Sequence, residues 1–204
     1  AHAIRYGPTT LGGVINFVTP PIPTSPTVRE RVVVGSNAYL SSTTEVGGFT
    51  ANQKFGAMAT YVNKSGDTFR DNASFDVNEV ALKTLWNIDC NSWLAVNGSH
   101  WRDVHGLPSR LTRAQLDADP SQNTNPEEVD WKGWAYWGTA TYHRNYGACA
   151  DNWFEAMAYH KLARRALDSP RPANPPYNAV RSADSDNYAT GLELRGEFSA
   201  FLGV

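Results

Sequence analysis

Apolar and polar side chains alternate along much of this chain, which is the pattern of strands that bury one face. In the stretch NYATGLELRGEF, for example, Leu192 and Leu194 fall on one face and Arg195 falls on the other. Helical periodicity is nearly absent. The alternation predicts an all-β fold with eight strands, at residues 28–40, 43–53, 56–64, 74–87, 92–102, 132–144, 152–163 and 187–199.

The predicted connections alternate between short and long. QKFG, IDCN and NYGACAD are tight turns, NKSGDTFRDNA is longer, and residues 103–130 and 164–186 form long, polar connections. In an antiparallel meander, the short turns then meet at one end of the sheet and the long loops at the other. Outer-membrane β-barrels have this arrangement, and aromatic girdles flank their membrane band. Tryptophans flank both kinds of connection here, at Trp86, Trp93 and Trp153 beside short turns and at Trp101, Trp131 and Trp134 beside the long loop.

Composition excludes two other classes of protein. The chain of 204 residues is 41% hydrophobic and 19% charged, which excludes a polar disordered chain. Its net charge of −2 argues against a nucleic-acid partner, because such proteins carry a basic excess. The aromatic content of 12% agrees with a barrel that has girdles.

One short helix is expected within the longest loop. The stretch TRAQLDAD has Thr112 in the N-cap position and Gln115 three residues later. This spacing is a capping box, in which each side chain bonds to the backbone N–H of the other residue.

The eight strands are expected to be one part of a larger barrel. The first 27 residues do not fit the meander, and an open sheet in a bilayer would leave two edges without hydrogen-bond partners. We therefore expect further strands to complete the barrel.

The segment before the first strand, RYGPTTLGGVINFVTPPIP, resembles the end of the plug domain in TonB-dependent outer-membrane receptors. The matching positions are Tyr6, Gly7, Pro8, Gly12, Gly13, Val14, Asn16, Val18 and Thr19. The resemblance implies that residues 1–27 end the plug and that residues 28–204 form the N-terminal part of the barrel. Barrels of this family have about 22 strands. It also implies a bacterial outer-membrane location, contact with outer-membrane lipid and a TonB complex as partner, which would act through a region outside this chain.

Within that family the chain is most similar to the ferric dicitrate receptor branch. The similarity lies in AIRYGPTTLGGVINFVTPPIP and in the loop stretch GLPSRLTRAQLDADP. It implies a receptor that imports ferric citrate without covalent chemistry, and iron that stays in its chelate rather than binding the protein as a cofactor. A receptor for another siderophore or nutrient remains an alternative.

Arginines at the top of the seventh strand and in its loop are the candidate ligand contacts. A planar guanidinium holds a carboxylate in two parallel hydrogen bonds, which suits an anionic chelate. The dicitrate branch uses arginines in this region, and the resemblance implies Arg164 first and Arg171 second, with Arg181 as an alternative for the role of Arg171. The alternative is that these arginines pair with nearby aspartates. Acidic residues outnumber arginines in the longer loop, which does not favour an anion.

Other candidate chemistry is weaker. His100 and His105 lack a third ligand at metal-binding spacing, so no metal site is expected. Glu193 and Glu197 would serve as acid and nucleophile in a soluble carbohydrate-binding or glycosidase domain, and inward polar residues of a barrel explain them as well. No GxSxG, P-loop or HExxH motif is present, and we expect no enzyme activity.

The two cysteines, Cys90 and Cys149, both fall in short turn-like stretches. They are either unrelated small residues or a disulfide at one rim of the sheet, formed in an oxidising compartment.

Overall fold

A computed structural model of the protein describes residues 19–108, 110–124, 129–146, 152–168 and 185–198. They form a single eight-stranded antiparallel sheet in which the strands follow chain order. The strands are β1 (Thr27–Val34), β2 (Leu40–Phe49), β3 (Phe55–Gly66), β4 (Phe75–Asn87), β5 (Ser92–Gly106), β6 (Asp130–Tyr146), β7 (Asn152–Asp168) and β8 (Ser185–Glu197). The predicted all-β meander is confirmed. Residues 1–18 of the predicted plug segment lie outside the described residues.

Several strand boundaries differ from the prediction: β2 lies at Leu40–Phe49 instead of 43–53, and β5 continues to Gly106 instead of residue 102. The differences at the ends of β1 and β7 have clear physical reasons. β1 ends at Val34 instead of residue 40, because Asn37 and Ala38 adopt positive φ and reverse the chain. A hydrogen bond of 2.9 Å from Gly35 N to Tyr39 O closes this connection. β7 was predicted to end at residue 163 but continues to Asp168. The extension pairs with β6 up to the partners Asp130 and Asp168, so hydrogen bonds to the neighbouring strand continue β7 beyond the predicted end.

The register places alternate residues of every strand on one of two faces. On the first, the apolar face, the successive cross-strand partners Val96, Ala140, Ala158 and Leu192 form a continuous row. Large apolar side chains on this face are solvent-accessible, and Leu192 is 69% exposed. A face of this kind is expected to contact lipid or another apolar surface.

The second face, the polar face, carries hydrophilic side chains at the same heights. Lys83, Asn97 and Thr139 are successive cross-strand partners there. Among the described residues, Met58, which also lies on this face, is the hydrophobic side chain that is buried, at 4% exposure. The sheet therefore has no conventional hydrophobic core within the described ranges. No helix in the described part of the chain is long and apolar enough to cross a membrane.

The connections define a turn end and a loop end of the sheet. Residues 50–54 and 88–91 connect strands at the turn end, and residues 35–39, 67–74 and 107–129 connect strands at the loop end. The expected division of loop lengths holds except at residues 35–39, which form a short connection on the loop side.

The longest described loop is organised by the predicted helix. The helix α1 spans Arg113–Ala118 and has the expected capping box. Gln115 N donates to Thr112 Oγ1 at 3.3 Å, and Thr112 N donates to Gln115 Oε1 at 2.8 Å. The loop packs on the neighbouring loop, where Asp71 N donates to Ser121 O at 2.8 Å and Arg70 Nη2 donates to Gln122 O at 3.0 Å. The two loops therefore form one hydrogen-bonded layer above the sheet.

Candidate ligand-binding face of the sheet

The chain that leads into β1 lies against the polar face. The Lys83 ammonium group donates to the carbonyl oxygen of Pro20 at 2.6 Å and to that of Thr19 at 3.4 Å. The bonded residues lie more than 60 positions apart in sequence, and Lys83 lies in the middle section of β4. The polar face is thus the side of the sheet on which the preceding segment enters.

Near the turn end, the polar face holds a network of charged side chains. Glu155 lies between two basic groups, with His143 Nδ1 at 3.6 Å from Glu155 Oε2 and Arg195 Nη1 at 3.7 Å from Glu155 Oε1. Arg195 Nε also donates to Glu193 at 2.6 Å. The imidazole of His143 stacks between Trp93 and Trp153, at centroid distances of 5.0 and 5.8 Å.

This network accounts for the two glutamates that a glycosidase would recruit. Glu193 is bound by Arg195, and Glu197 accepts a hydrogen bond of 3.3 Å from the indole nitrogen of Trp153. Both acids therefore take part in contacts across the polar face, as lining residues of a barrel do.

At the loop end, the polar face carries an aromatic and charged cluster, which we call the loop-end patch. It consists of Trp101, Asp103, His105, Trp131 and Arg165, on three adjacent strands. His105 Nδ1 lies 3.0 Å from Asp103 Oδ2, and the His105 ring stacks on Trp131 at 6.3 Å.

A glycine makes room for the largest ring of this patch. A Cβ atom added at Gly133 would lie 3.2 Å from Cζ3 of Trp101, so the indole of Trp101 lies over the bare backbone of β6. Gly133 is in turn the register partner of Arg165 on β7. The loop-end patch therefore combines a flat aromatic surface with a cation, which are groups that bind an anionic or aromatic ligand.

The structure divides the two adjacent arginines of β7 between the faces. Arg164 is the register partner of Trp134 and Asp186, and these three residues lie on the apolar face. Its Nε lies 3.6 Å from Asp186 Oδ1, which is the kind of pairing that the sequence left open as an alternative. Arg165 lies on the polar face with the loop-end patch. Sequence reasoning missed Arg165, although the alternation of a strand already implies that neighbours face opposite sides.

Two of the candidate arginines, Arg171 and Arg181, lie outside the described residues, and so does Cys149. Cys90 is exposed and is a free cysteine in the structure. Asn145 N donates to Asn91 O at 2.8 Å, so the turn that contains Cys90 adjoins the end of β6. Its pairing with Cys149 stays a prediction.

The two histidines considered for metal binding lie on opposite faces. His100 stacks on Tyr136 on the apolar face, at a centroid distance of 4.3 Å, whereas His105 belongs to the loop-end patch. They cannot share one ion across the sheet. Within the described ranges, no group of three or more His, Cys, Asp or Glu side chains is arranged to hold a metal.

Comparison with known proteins identifies the fold. No protein-family model matches the chain. The ferric citrate transporter FecA in its unliganded form superposes with a TM-score of 0.76 and 22% sequence identity, over 94% of this chain and 29% of that chain. FpvA of P. aeruginosa, in complexes with heterologous pyoverdines and iron, superposes with a TM-score of 0.63 and 14% identity, over 89% of this chain and 26% of that chain. This chain thus spans less than a third of either protein, and its eight strands have the fold of the corresponding part of each.

Proposed function

We propose that this chain is part of a TonB-dependent outer-membrane transporter that imports a ferric chelate, with ferric citrate as the first candidate cargo. In this proposal the apolar face contacts outer-membrane lipid, and the polar face lines the lumen around a plug. The inner-membrane TonB complex supplies the energy. The protein acts by binding and conformational change, and the iron remains with its chelator throughout.

The observation that carries the proposal is the division of the sheet into two faces. A soluble β-sandwich buries its apolar face against a second sheet, whereas here Leu192, Tyr188 and Val80 are at least half exposed. The topology also superposes on FecA over nearly the whole chain. The resemblance of RYGPTTLGGVINFVT to the end of a plug supports the same family.

For the cargo, we propose that Arg165 contacts the chelate from the barrel wall, in place of Arg164. Arg165 projects from the polar face beside Trp101 and Asp103, at the loop end where an extracellular ligand would arrive. Arg171 and Arg181, in the connection after β7, remain proposed contacts. The candidate ligand is a polycarboxylate chelate of iron, because guanidinium groups pair with carboxylates.

A second candidate cargo is favoured by the rings of the polar face. Trp101 and Trp131 lie beside Arg165, and Trp137 on the same face is 42% exposed. Aromatic surfaces of this kind stack on flat organic groups, which citrate lacks. A siderophore with aromatic iron-binding groups is therefore the alternative to ferric citrate.

The experiment that tests the class uses the full-length protein. We expect it to fractionate with the outer membrane, to require detergent for extraction, and to migrate faster on gels before heating than after, as folded barrels do. Recovery as a soluble monomer would contradict the transporter. Uptake of radiolabelled iron as ferric citrate, in cells with and without TonB, tests the cargo, and a panel of aromatic siderophores tests the alternative.

A further inference from the structure

A patch of polar side chains interrupts the apolar face on its first four strands. On β1, Val28, Glu30 and Val32 project from this face, so one carboxylate lies between two valines that are 72% and 58% exposed. Polar residues continue from Glu30 across β2, β3 and β4. We call this set the β1–β4 polar patch, and its members are Glu30, Ser42, Thr44, Tyr61, Asn63 and Asn78.

Glu30 lies near the middle of the expected membrane band. Its register partner is Thr44, which lies at the centre of the ten residues of β2, Leu40–Phe49. A transmembrane strand needs about 9–11 residues to cross the hydrocarbon core. Because β2 is just long enough to cross, its centre is about 12 Å from either boundary of a ~25 Å band. The carboxylate of Glu30 is therefore at the level of acyl chains.

The cation that would neutralise Glu30 is missing from the described part of the chain. Ser42 Oγ donates to one carboxylate oxygen at 2.7 Å, and the hydroxyl of Thr44 donates to the other. The neighbouring Arg29 and Arg31 project from the polar face, where Arg29 lies 3.7 Å from Glu45. A charge on the lipid-facing side is costly at this depth, and ionisable residues within a membrane mark functional contacts.

The rest of the patch is also bonded inward and offers acceptors to a partner. Tyr61 Oη and Asn63 Nδ2 both donate to Asn78 Oδ1, at 2.8 and 3.0 Å. The hydroxyl hydrogens of the patch are thus used within the patch. A carboxylate has about four acceptor sites, and the two hydroxyls occupy two of those on Glu30. A partner must therefore supply hydrogen-bond donors, and a basic side chain fits Glu30 best.

Two other occupants fit this depth poorly. Cationic lipid headgroups lie at the boundaries of the bilayer, about 12 Å from Glu30. A second copy of this chain offers lysines and arginines on its described apolar face near one end of the sheet or the other, not at the level of Glu30. These residues are Arg102, Lys132, Arg144 and Arg164.

We propose that the β1–β4 polar patch binds a second protein of the outer membrane, whose membrane-embedded segment places a lysine or arginine side chain against Glu30. The proposal rests on the proposed function, because it requires that the apolar face contacts the membrane. Apolar side chains of the partner pack on Val28, Val32 and Val46 around the charge pair. Polar pairs of this kind join protein segments within membranes, since lipid offers the same groups no hydrogen bonds.

The test uses the full-length receptor in cells, with a photoreactive benzoylphenylalanine incorporated at the position of Val32. We expect a discrete cross-linked product with a second protein, and mass spectrometry should find a lysine or arginine in the cross-linked peptide. The same probe at Val96, which is 45% exposed on the same face, is the control position and should not give this product.

Charge variants show whether Glu30 carries the contact. Glu30→Gln should lower the yield of the product about fivefold. Glu45→Gln is the matched control, because Glu45 follows Thr44 on β2 and projects from the opposite face. Glu30→Lys should abolish the product, and exchange of the partner's basic residue for glutamate should restore it. Heat-modifiable migration on gels establishes that each variant is folded.

The outcomes separate this proposal from its alternatives. An unchanged yield in Glu30→Gln, an equal product at Val96, or a cross-linked peptide without a basic residue would overturn it. Cross-links only to lipid, to a second copy or to another strand of the same receptor would overturn it as well. A receptor that resides in the outer membrane and imports its chelate without this product would contradict the patch only, whereas a soluble protein would also contradict the proposed function.

Discussion

Arg164 on β7 and Asp186 on β8 lie directly opposite each other in the sheet, with Nε and Oδ1 3.6 Å apart. This pair occupies the apolar face, so the next residue along β7, Arg165, must project from the polar face. Two adjacent arginines are thereby assigned to different surroundings. One lies at the proposed lipid boundary, and the other lies beside the aromatic rings of the loop-end patch.

The first prediction separates these two arginines by ligand binding. In the complete receptor, Arg165→Ala should weaken binding of the ferric chelate about tenfold, because a charge-assisted hydrogen bond to the ligand is lost. Arg164→Ala should leave the dissociation constant nearly unchanged. Titration of ferric citrate by tryptophan fluorescence measures both. A larger loss for Arg164→Ala than for Arg165→Ala would reverse the assignment.

The second prediction concerns the charge network near the turn end. Arg195 is 29% exposed and bridges Glu155 and Glu193, so Arg195→Ala leaves two carboxylates close together without their shared cation. We expect a loss of about 2 kcal/mol in the free energy of unfolding. Denaturant unfolding in detergent measures it.

The control for this prediction is Arg113→Ala. Arg113 pairs with Asp117 across one helical turn, and its side chain is 85% exposed. Such an exposed pair contributes little to stability. Equal losses for Arg195→Ala and Arg113→Ala would show that the network does not stabilise the barrel.

The third prediction uses two glycines of the sheet. A Cβ atom at Gly47 would lie 2.7 Å from the carbonyl oxygen of Ala57 and 2.8 Å from Cα of Met58, both of them backbone atoms. Gly47→Ala should therefore cost about 1–3 kcal/mol or prevent folding. At Gly138 the nearest atom is 3.6 Å away, so Gly138→Ala should be tolerated. The yield of heat-modifiable, folded barrel after refolding compares the two variants, and a normal yield for Gly47→Ala would be contrary to expectation.

The fourth prediction concerns pH and the loop that contains α1. The carboxylate of Asp119 accepts hydrogen bonds from Ser121 N at 2.8 Å and from Ser121 Oγ at 2.6 Å. The bonds from the Ser121 hydroxyl and backbone hold the pKa of Asp119 below its ordinary value of 3.8. Because the folded pKa is the lower one, the stabilisation is present above pH 3.8 and is lost as pH falls through the folded pKa.

Two measurements check this sign. The NMR chemical shift of the Ser121 amide should report the titration of the Asp119 carboxyl group, with a midpoint below 3.8. Hydrogen exchange of the loop should accelerate only below that midpoint. Ser121→Ala removes the hydroxyl donor and should raise the midpoint toward the ordinary value. A midpoint above 3.8 in the wild-type receptor would contradict the structure.

Parts of this fold follow from local sequence alone. The alternation along β4, β6 and β8 is sufficient to predict strands because side chains on a strand alternate with a period of two, whatever the strand pairs with. The capping box of α1 is equally local, since Thr112 and Gln115 satisfy each other's backbone groups within a single turn. The alternation in loop length and the tryptophans near strand ends can also be read from the sequence, and they favour a barrel because such barrels have short turns at one end, long loops at the other and aromatic girdles.

Tertiary pairing decided the rest. The ends of β1 and β7 differ from the prediction because hydrogen bonds between neighbours, and not the apolar pattern, determine how far a strand extends. Register decided that Arg164 joins Trp134 and Arg102 on the apolar face while Arg165 joins Trp101 on the polar face. A shift of one residue would exchange these faces. The sequence by itself determined that arginines stand at the top of this strand, and only pairing between strands decided which of them faces the proposed cargo and which faces the lipid boundary.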